Sequence, residues 1–327
     1  MMGSRQAGST VLGMTALIIL ALAILLPALI GGFNNGAAPS EERLLSPQMQ
    51  AFELQRTALT LVEGGTYFRG TSFDEVVSAL AECSACDVAQ AESAVPPHQL
   101  TVSPFWMELT EVTIAQYVAF LNTLGSGGHR SGCMGYACVE TQTENAASHI
   151  LQTGSGYSVA NIAAEDYPVV GVTWYGAQAY CEALGRRLPT EGEWEFAARG
   201  PSGTLYPWGN EWTVQAANVR GATTNADGVV IAGAGPVGDY ADYTSRDGIR
   251  DLSGNVAEWT ADWFDAAHYR SLDAIRTDDS GPDSGTLKAV RGGSWNDSPF
   301  YARAVNRQAL TPDTASASVG FRCVMAR

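Results

Sequence analysis

The residues able to do chemistry fall into three groups: six cysteines, four histidines and a short loop bearing two carboxylates. Cys83 and Cys86 stand in Glu-Cys-Ser-Ala-Cys-Asp, a C-x-x-C spacing that serves redox pairs, zinc half-sites and short structural bridges. A thioredoxin-type redox pair opens a helix of a βαβ unit, and the flanks of Cys83 lack that pattern. Cys133 and Cys138, in Cys-Met-Gly-Tyr-Ala-Cys, read as closing a small loop. The two pairs could in principle make a four-thiolate zinc site, although the second spacing is wide for one. Spacing leaves the connectivity of these four open. Asp251-Leu-Ser-Gly-Asn-Val-Ala-Glu258 sets two carboxylates around a glycine turn, an oxygen-rich arrangement suited to calcium; the plainer alternative is turn capping or pairing with arginines. His98, His129, His149 and His268 are scattered, with no His-x-x-x-His helix, so a histidine-bound iron centre is not expected. The chain also has no G-x-S-x-G elbow and no P-loop.

Three helices are expected to position these groups. Thr113 with Gln116 forms a capping box before Tyr117-Val-Ala-Phe-Leu121, and Thr173 precedes an apolar-rich run to Leu184 with Gly185 as its C-cap. Thr190 with Glu193 is a second capping box, opening a helix through Arg199 that ends at Gly200. Leu59 to Gly70 alternates around Gly-Gly and predicts a hairpin, and extended structure is expected from Gln99 to Met107. Between them, residues 72 to 95 form an acidic, alanine-rich insertion that carries Cys83 and Cys86. The remainder is rich in Gly, Asn, Asp and Trp. The fold class predicted is α+β, irregular and loop-rich, with most tryptophans supplying core area.

The chain is 327 residues long and 46% apolar, enough for a sizeable core. Its net charge of -15 and the lack of any basic patch argue against nucleic-acid binding. Val11 to Gly31 is apolar and free of charge, long enough to cross a bilayer, with Arg5 before it and Glu41 and Glu42 after it. This predicts an N-terminal membrane anchor over residues 1–33 and a linker over 34–58, followed by an extracytoplasmic domain over 59–327, periplasmic or at the cell surface. Cleavage of the segment as a signal peptide, with secretion, is the rival expectation. Either places the cysteines in an oxidising compartment, which favours disulfides over metal or redox use of the thiols.

The ordered blocks Glu111-Val-Thr-Ile-Ala-Gln-Tyr, Gly185-Arg-Arg-Leu-Pro-Thr-Glu-Gly-Glu-Trp-Glu-Phe, Asp251-Leu-Ser-Gly-Asn-Val-Ala-Glu-Trp-Thr, Arg291-Gly-Gly-Ser-Trp and Gly320-Phe-Arg-Cys resemble the formylglycine-generating enzyme, or sulfatase-modifying factor, superfamily. The resemblance covers residues 59 to 327. It implies the C-type-lectin-like fold of that family, a long-range disulfide between Cys181 and Cys323, and calcium held by Asp251, Gly254, Val256 and Glu258. A second calcium site would match Asn218, Val219, Asp227 and Val229. In the oxidase that names the family, two cysteines bind copper(I); the matching positions here are Asp297 and Ala302, a hard carboxylate and a methyl that cannot replace soft thiolates. Copper is therefore not expected, and neither is the iron of the family's three-histidine sulfoxide synthases. Ser294 matches an active-site serine, and Trp295, Arg303 and Arg307 stand nearby as ligand-binding candidates. The function implied is that of a tethered, extracytoplasmic family member without copper oxidase activity, binding a peptide or protein ligand. The alternative is an active protein-modifying oxidoreductase, such as a formylglycine-generating oxidase, with a metal centre the sequence does not identify.

Overall fold

Short strands supply the frame and loops supply most of the mass. In the computed structural model, residues 46–53, 57–83, 86–220 and 233–327 are described. A three-stranded antiparallel sheet has the order β1 (Leu59–Val62), β4 (Phe105–Glu108), β11 (Val324–Ala326). A four-stranded sheet has the order β10 (Val319–Gly320), β7 (Ala257–Trp263), β8 (Lys288–Arg291), β9 (Arg307–Leu310), with β10 and β7 parallel. Two separate antiparallel pairs, β2 (Gly65–Arg69) with β3 (His98–Val102) and β5 (Ile150–Thr153) with β6 (Gly156–Val159), complete the strands.

The hairpin expected over Leu59–Gly70 does not form. β1 pairs with β4 and β2 with β3, so Gly64 and Gly65 carry the chain from one sheet to another. Gly64 has φ of 68°, and a Cβ there would strike the carbonyl of Val102, so this crossing requires glycine.

The three expected helices are α4 (Ile114–Leu124), α5 (Trp174–Ala183) and α6 (Glu191–Arg199). Both capping boxes close: Thr113 Oγ1 accepts the Gln116 N–H while Gln116 Oε1 accepts that of Thr113, and Thr190 and Glu193 do the same. Helices α2 (Phe73–Ala81) and α3 (Val88–Glu92) lie within the insertion. Ser72 and Glu75 make a third capping box at the start of α2, and Asp87 caps α3. Helix α1 (Pro47–Glu53) falls in the stretch read as a linker. Its Phe52 is buried against Phe120 and Tyr180, so the domain gathers chain from before Leu59.

The main core collects Phe52, Tyr117, Phe120, Tyr180, Trp259 and Phe321. Inside it Cys181 bridges to Cys323, tying α5 to the turn before β11. Cys133 pairs with Cys138 and Cys83 with Cys86, so no cysteine is free. The apolar run Val11–Gly31 lies outside the described residues. Among the described residues no helix is long and apolar enough to cross a membrane.

Candidate functional site

The Arg-Gly-Gly-Ser-Trp loop is anchored by buried charge. Strand register sets Glu258 opposite Arg291, and Arg291 opposite Arg307. Helix α6, buried along its length, brings Glu191 and Glu195 onto these arginines. Glu191 takes Arg291 at 2.7 Å, Arg307 at 2.7 and 2.9 Å, and Arg69 at 3.2 Å. Glu195 takes Arg291 at 2.8 Å and Arg199 at 2.7 Å. Each of these side chains except Arg199 is at most 1% exposed. The Arg307 guanidinium is also bound to the carbonyls of Ser93 and Asp265, and the residue lines the smaller of two cavities flanking this loop.

Asp262 sits beside this network. Its Oδ2 accepts the Glu191 N–H at 2.8 Å, while Oδ1 is buried without a hydrogen-bond partner. Burial, then the charge of Glu191, pushes its carboxyl up to about 7. The folded state therefore holds this proton to higher pH than the unfolded chain, and the penalty grows between pH ~4 and ~7. Asp262→Asn should stabilise the protein by about 2 kcal/mol at pH 8 and by almost nothing at pH 4, as read by urea denaturation at both values.

Beyond Arg291 the loop doubles back. Gly293 has φ of 66°, and a Cβ there would lie 2.7 Å from the Tyr301 carbonyl. Ser294 is fully buried and donates its hydroxyl proton to Asp297 Oδ2 at 2.7 Å. Ala302 is also buried, among Ala217, Val219, Trp208 and Trp212. Position 297 is therefore a hydrogen-bonded carboxylate and position 302 an apolar plug. Trp295 is partly exposed, with Nε1 donating to the Ala317 carbonyl at 3.3 Å.

The insertion lies on this loop, which sequence reasoning did not foresee. Phe300 packs with Val76 and Ala91, with Tyr301, Cys83 and Cys86 against the same cluster. The Tyr301 hydroxyl accepts the Asp87 N–H at 3.0 Å. Ser298 Oγ lies 3.6 Å from Cys83 Sγ and 3.5 Å from Cys86 Sγ. Two cavities flank the seam. One, of about 480 Å³, is lined by Asp297, Gln90, Ala257 and Ser318 among others. The other, about 700 Å³, is lined by Cys83, Ser298, Phe300, Arg303, Tyr206 and Trp212, with a rim of carboxylates. Neither is lined by Ser294 or Trp295, so the structure separates the residues that the sequence grouped into one pocket.

Arg303 is the exception among the buried arginines. It is 9% exposed, and its guanidinium makes no hydrogen bond or ion pair among the described residues. Burial lowers its affinity for the proton, opposed by the charges of Tyr206, Glu75 and Glu82. A guanidinium held this way is a ready partner for an anionic group entering the cavity.

The carboxylates of the calcium reading are distributed differently from expectation. Glu258 is gripped by Arg322 through two contacts of 2.8 Å and by Trp194 Nε1 at 3.0 Å. Asp251, at φ of 57°, instead meets Glu111, a residue the sequence did not single out. Glu111 is fully buried, with Oε1 accepting from Asn255 Nδ2 at 3.0 Å and Oε2 lacking any hydrogen-bond partner. Burial first, and then the Asp251 charge, push the Glu111 carboxyl upward. Asn218 packs at the same turn, its carbonyl accepting the Asn255 N–H at 2.8 Å, and Val219 is buried beside Ala302. Asp227 and Val229 lie outside the described residues. Among the described residues, no three acidic, histidine or cysteine side chains converge as a metal cluster. His98, His129 and His268 each serve a different local partner.

The profile of the sulfatase-modifying factor enzyme 1-like domain matches residues 45–327. The chain belongs to this family. It is 30% identical over 316 residues to a formylglycine-generating enzyme of Streptomyces coelicolor, covering 88% of this chain and 95% of that relative. Over 167 residues it is 38% identical to a Bos taurus protein named inactive C-alpha-formylglycine-generating enzyme 2, covering 48% and 50% of the two chains. It is also 30% identical over 268 residues to the serine/threonine-protein kinase pkn1 of Chlamydia pneumoniae, covering 82% of this chain but spanning only 38% of the kinase's length. The fold is shared with the structure of PvdO from Pseudomonas aeruginosa, at a TM-score of 0.60 and 23% identity, covering 83% of this chain and 95% of that one. Within this family fold, positions 297 and 302 hold a carboxylate and a methyl, and the insertion packs on the intervening Ser298, Phe300 and Tyr301.

Proposed function

We propose that this sulfatase-modifying-factor family member does not carry out copper(I) oxidation at the 297–302 loop and instead binds a peptide segment in the cavity beside Arg303. The single observation that carries this reading is the nearly buried Arg303 guanidinium, which makes no hydrogen bond or ion pair among the described residues and lies 6.0 Å from the centre of the Phe300 ring, facing about 700 Å³ of space lined by Tyr206, Trp212 and Phe300. Aromatic walls supply contact area and the arginine supplies orientation through a carboxylate. The donor set for copper does not fit, since Asp297 offers oxygen and Ala302 offers none. The apolar Val11–Gly31 run supports a tether, and three disulfides support an extracytoplasmic setting. Peptide binding should be measured by fluorescence anisotropy with a library of short peptides on the full-length protein. Arg303→Gln is expected to weaken the best binder about tenfold with the melting temperature unchanged, and equal affinity would remove the cavity from this reading.

Calcium suits the Asp251–Glu111 pair, two buried carboxylates of which Glu111 Oε2 accepts no hydrogen bond and has Arg322 only at 4.0 Å, with the Gly254 and Val256 carbonyls as the further ligands the family implies. Calcium at a hundredfold excess over its Kd should raise the melting temperature by about 5 °C relative to chelator, and Glu111→Gln should abolish the shift. An unchanged melting temperature in the unsubstituted protein would remove calcium.

A further inference from the structure

The three disulfides are not equivalent. Cys133, Cys138, Cys181 and Cys323 are all fully buried, whereas Cys83 and Cys86 are partly exposed and Cys83 lines the Arg303 cavity. The Cys83–Cys86 bridge spans a sequence separation of 3, so it constrains little of the unfolded chain, whereas Cys181–Cys323 spans 142. The insertion that carries it is already fastened by α2, α3 and the cluster around Phe300. What the short bridge has is an approach route with a hydroxyl at its sulfurs and, in the same cavity, a guanidinium with no hydrogen bond or ion pair among the described residues.

We infer that Cys83–Cys86 is an exchangeable disulfide, brought by the insertion against Ser298 and Phe300, and that it oxidises a cysteine-containing peptide bound against Arg303. This rests on the peptide-binding reading of that cavity. The peptide carries a carboxylate for Arg303 and a basic group for the rim formed by Asp74, Glu82 and Glu211. One peptide thiolate attacks Cys83 Sγ, the Cys83–Cys86 bond breaks, and Cys86 leaves as a thiolate that can accept a hydrogen bond from Ser298 Oγ. The peptide's second thiolate then attacks its own sulfur in the mixed disulfide and expels Cys83. Two electrons pass from the peptide dithiol to the protein disulfide, and the two thiol protons end on Cys83 and Cys86. The protein's own bridge is the oxidant, so one turnover needs no other reagent.

The test uses the full-length oxidised protein and a synthetic peptide with two cysteines, one lysine and a free C-terminus. After acid quenching and alkylation, mass spectrometry should find Cys83 and Cys86 modified while the other four cysteines stay paired. Cys86→Ser with Cys83 first capped as its mixed disulfide with thionitrobenzoate should release one equivalent of thionitrobenzoate and hold a single-cysteine version of the peptide on Cys83. Arg303→Gln should slow exchange about tenfold and Arg303→Lys less, with thermal melts confirming that both are folded. No exchange, or equal rates in both Arg303 variants and the unsubstituted protein, would overturn the inference. Binding of the double-serine peptide separates the two levels. If that peptide binds and the dithiol peptide is not oxidised, the exchange step fails alone; if neither peptide binds, the cavity reading fails with it.

Discussion

Glu191→Gln should cost the protein about 3–5 kcal/mol, a large share of the roughly 5–15 kcal/mol that holds an ordinary domain folded. The Glu191 carboxylate receives donors from Arg69, Arg291 and Arg307, all essentially unexposed. Glutamine keeps one acceptor oxygen and loses the charge, so three buried cations would be left facing Glu195 and Asp279 alone. Burial by itself would raise the Glu191 carboxyl, but Arg307, Arg291 and Arg69 outweigh it and hold it well below the usual carboxylate range. Because the folded value is depressed, its stabilisation is present above the unfolded pKa near 4 and fades as pH falls below it. Urea denaturation of Glu191→Gln and the unsubstituted protein at pH 7 checks this. A difference under about 1 kcal/mol would mean that the network is less coupled than its geometry implies.

Replacing both Cys181 and Cys323 by alanine should lower stability by about 2–5 kcal/mol, and the loss should appear mainly as a lower denaturation midpoint. The bridge closes a separation of 142 residues inside the main core, and the Cys323 N–H also donates to Glu108 Oε2 at 2.7 Å. Removing Cys83 and Cys86 in the same way should change the midpoint far less. Equal losses from the two pairs would assign the short bridge a structural role.

Helices α4, α5 and α6 were legible because their signals are local. Thr113 with Gln116 and Thr190 with Glu193 satisfy backbone donors within one turn, so the sequence contains both partners. The hairpin at Gly64 was misread because strand alternation does not encode which strand will pair, and β1 found β4 more than forty residues away. Within the site, the lack of thiols at Asp297 and Ala302 could be read directly from the sequence. The isolation of Arg303 could not, because an arginine's partner is decided by tertiary packing: Arg307, four residues on, is fully committed to Glu191. Glu111 was missed for the same reason, as its neighbour Asp251 lies far along the chain. The capping signal at Ser72 and Glu75 was present in the insertion, and it would have predicted α2. Nothing local indicated that α2 and α3 would pack onto Phe300.

The most direct test of the proposed absence of copper chemistry is a copper(I) titration of the oxidised full-length protein, followed on the same sample by an assay for conversion of a substrate cysteine to formylglycine. No stoichiometric tight copper and no conversion are expected, since Asp297 and Ala302 provide no thiolate and all six cysteines are bridged. Tight binding of one copper per chain with conversion of the cysteine would contradict that expectation and return this protein to the oxidases of its family.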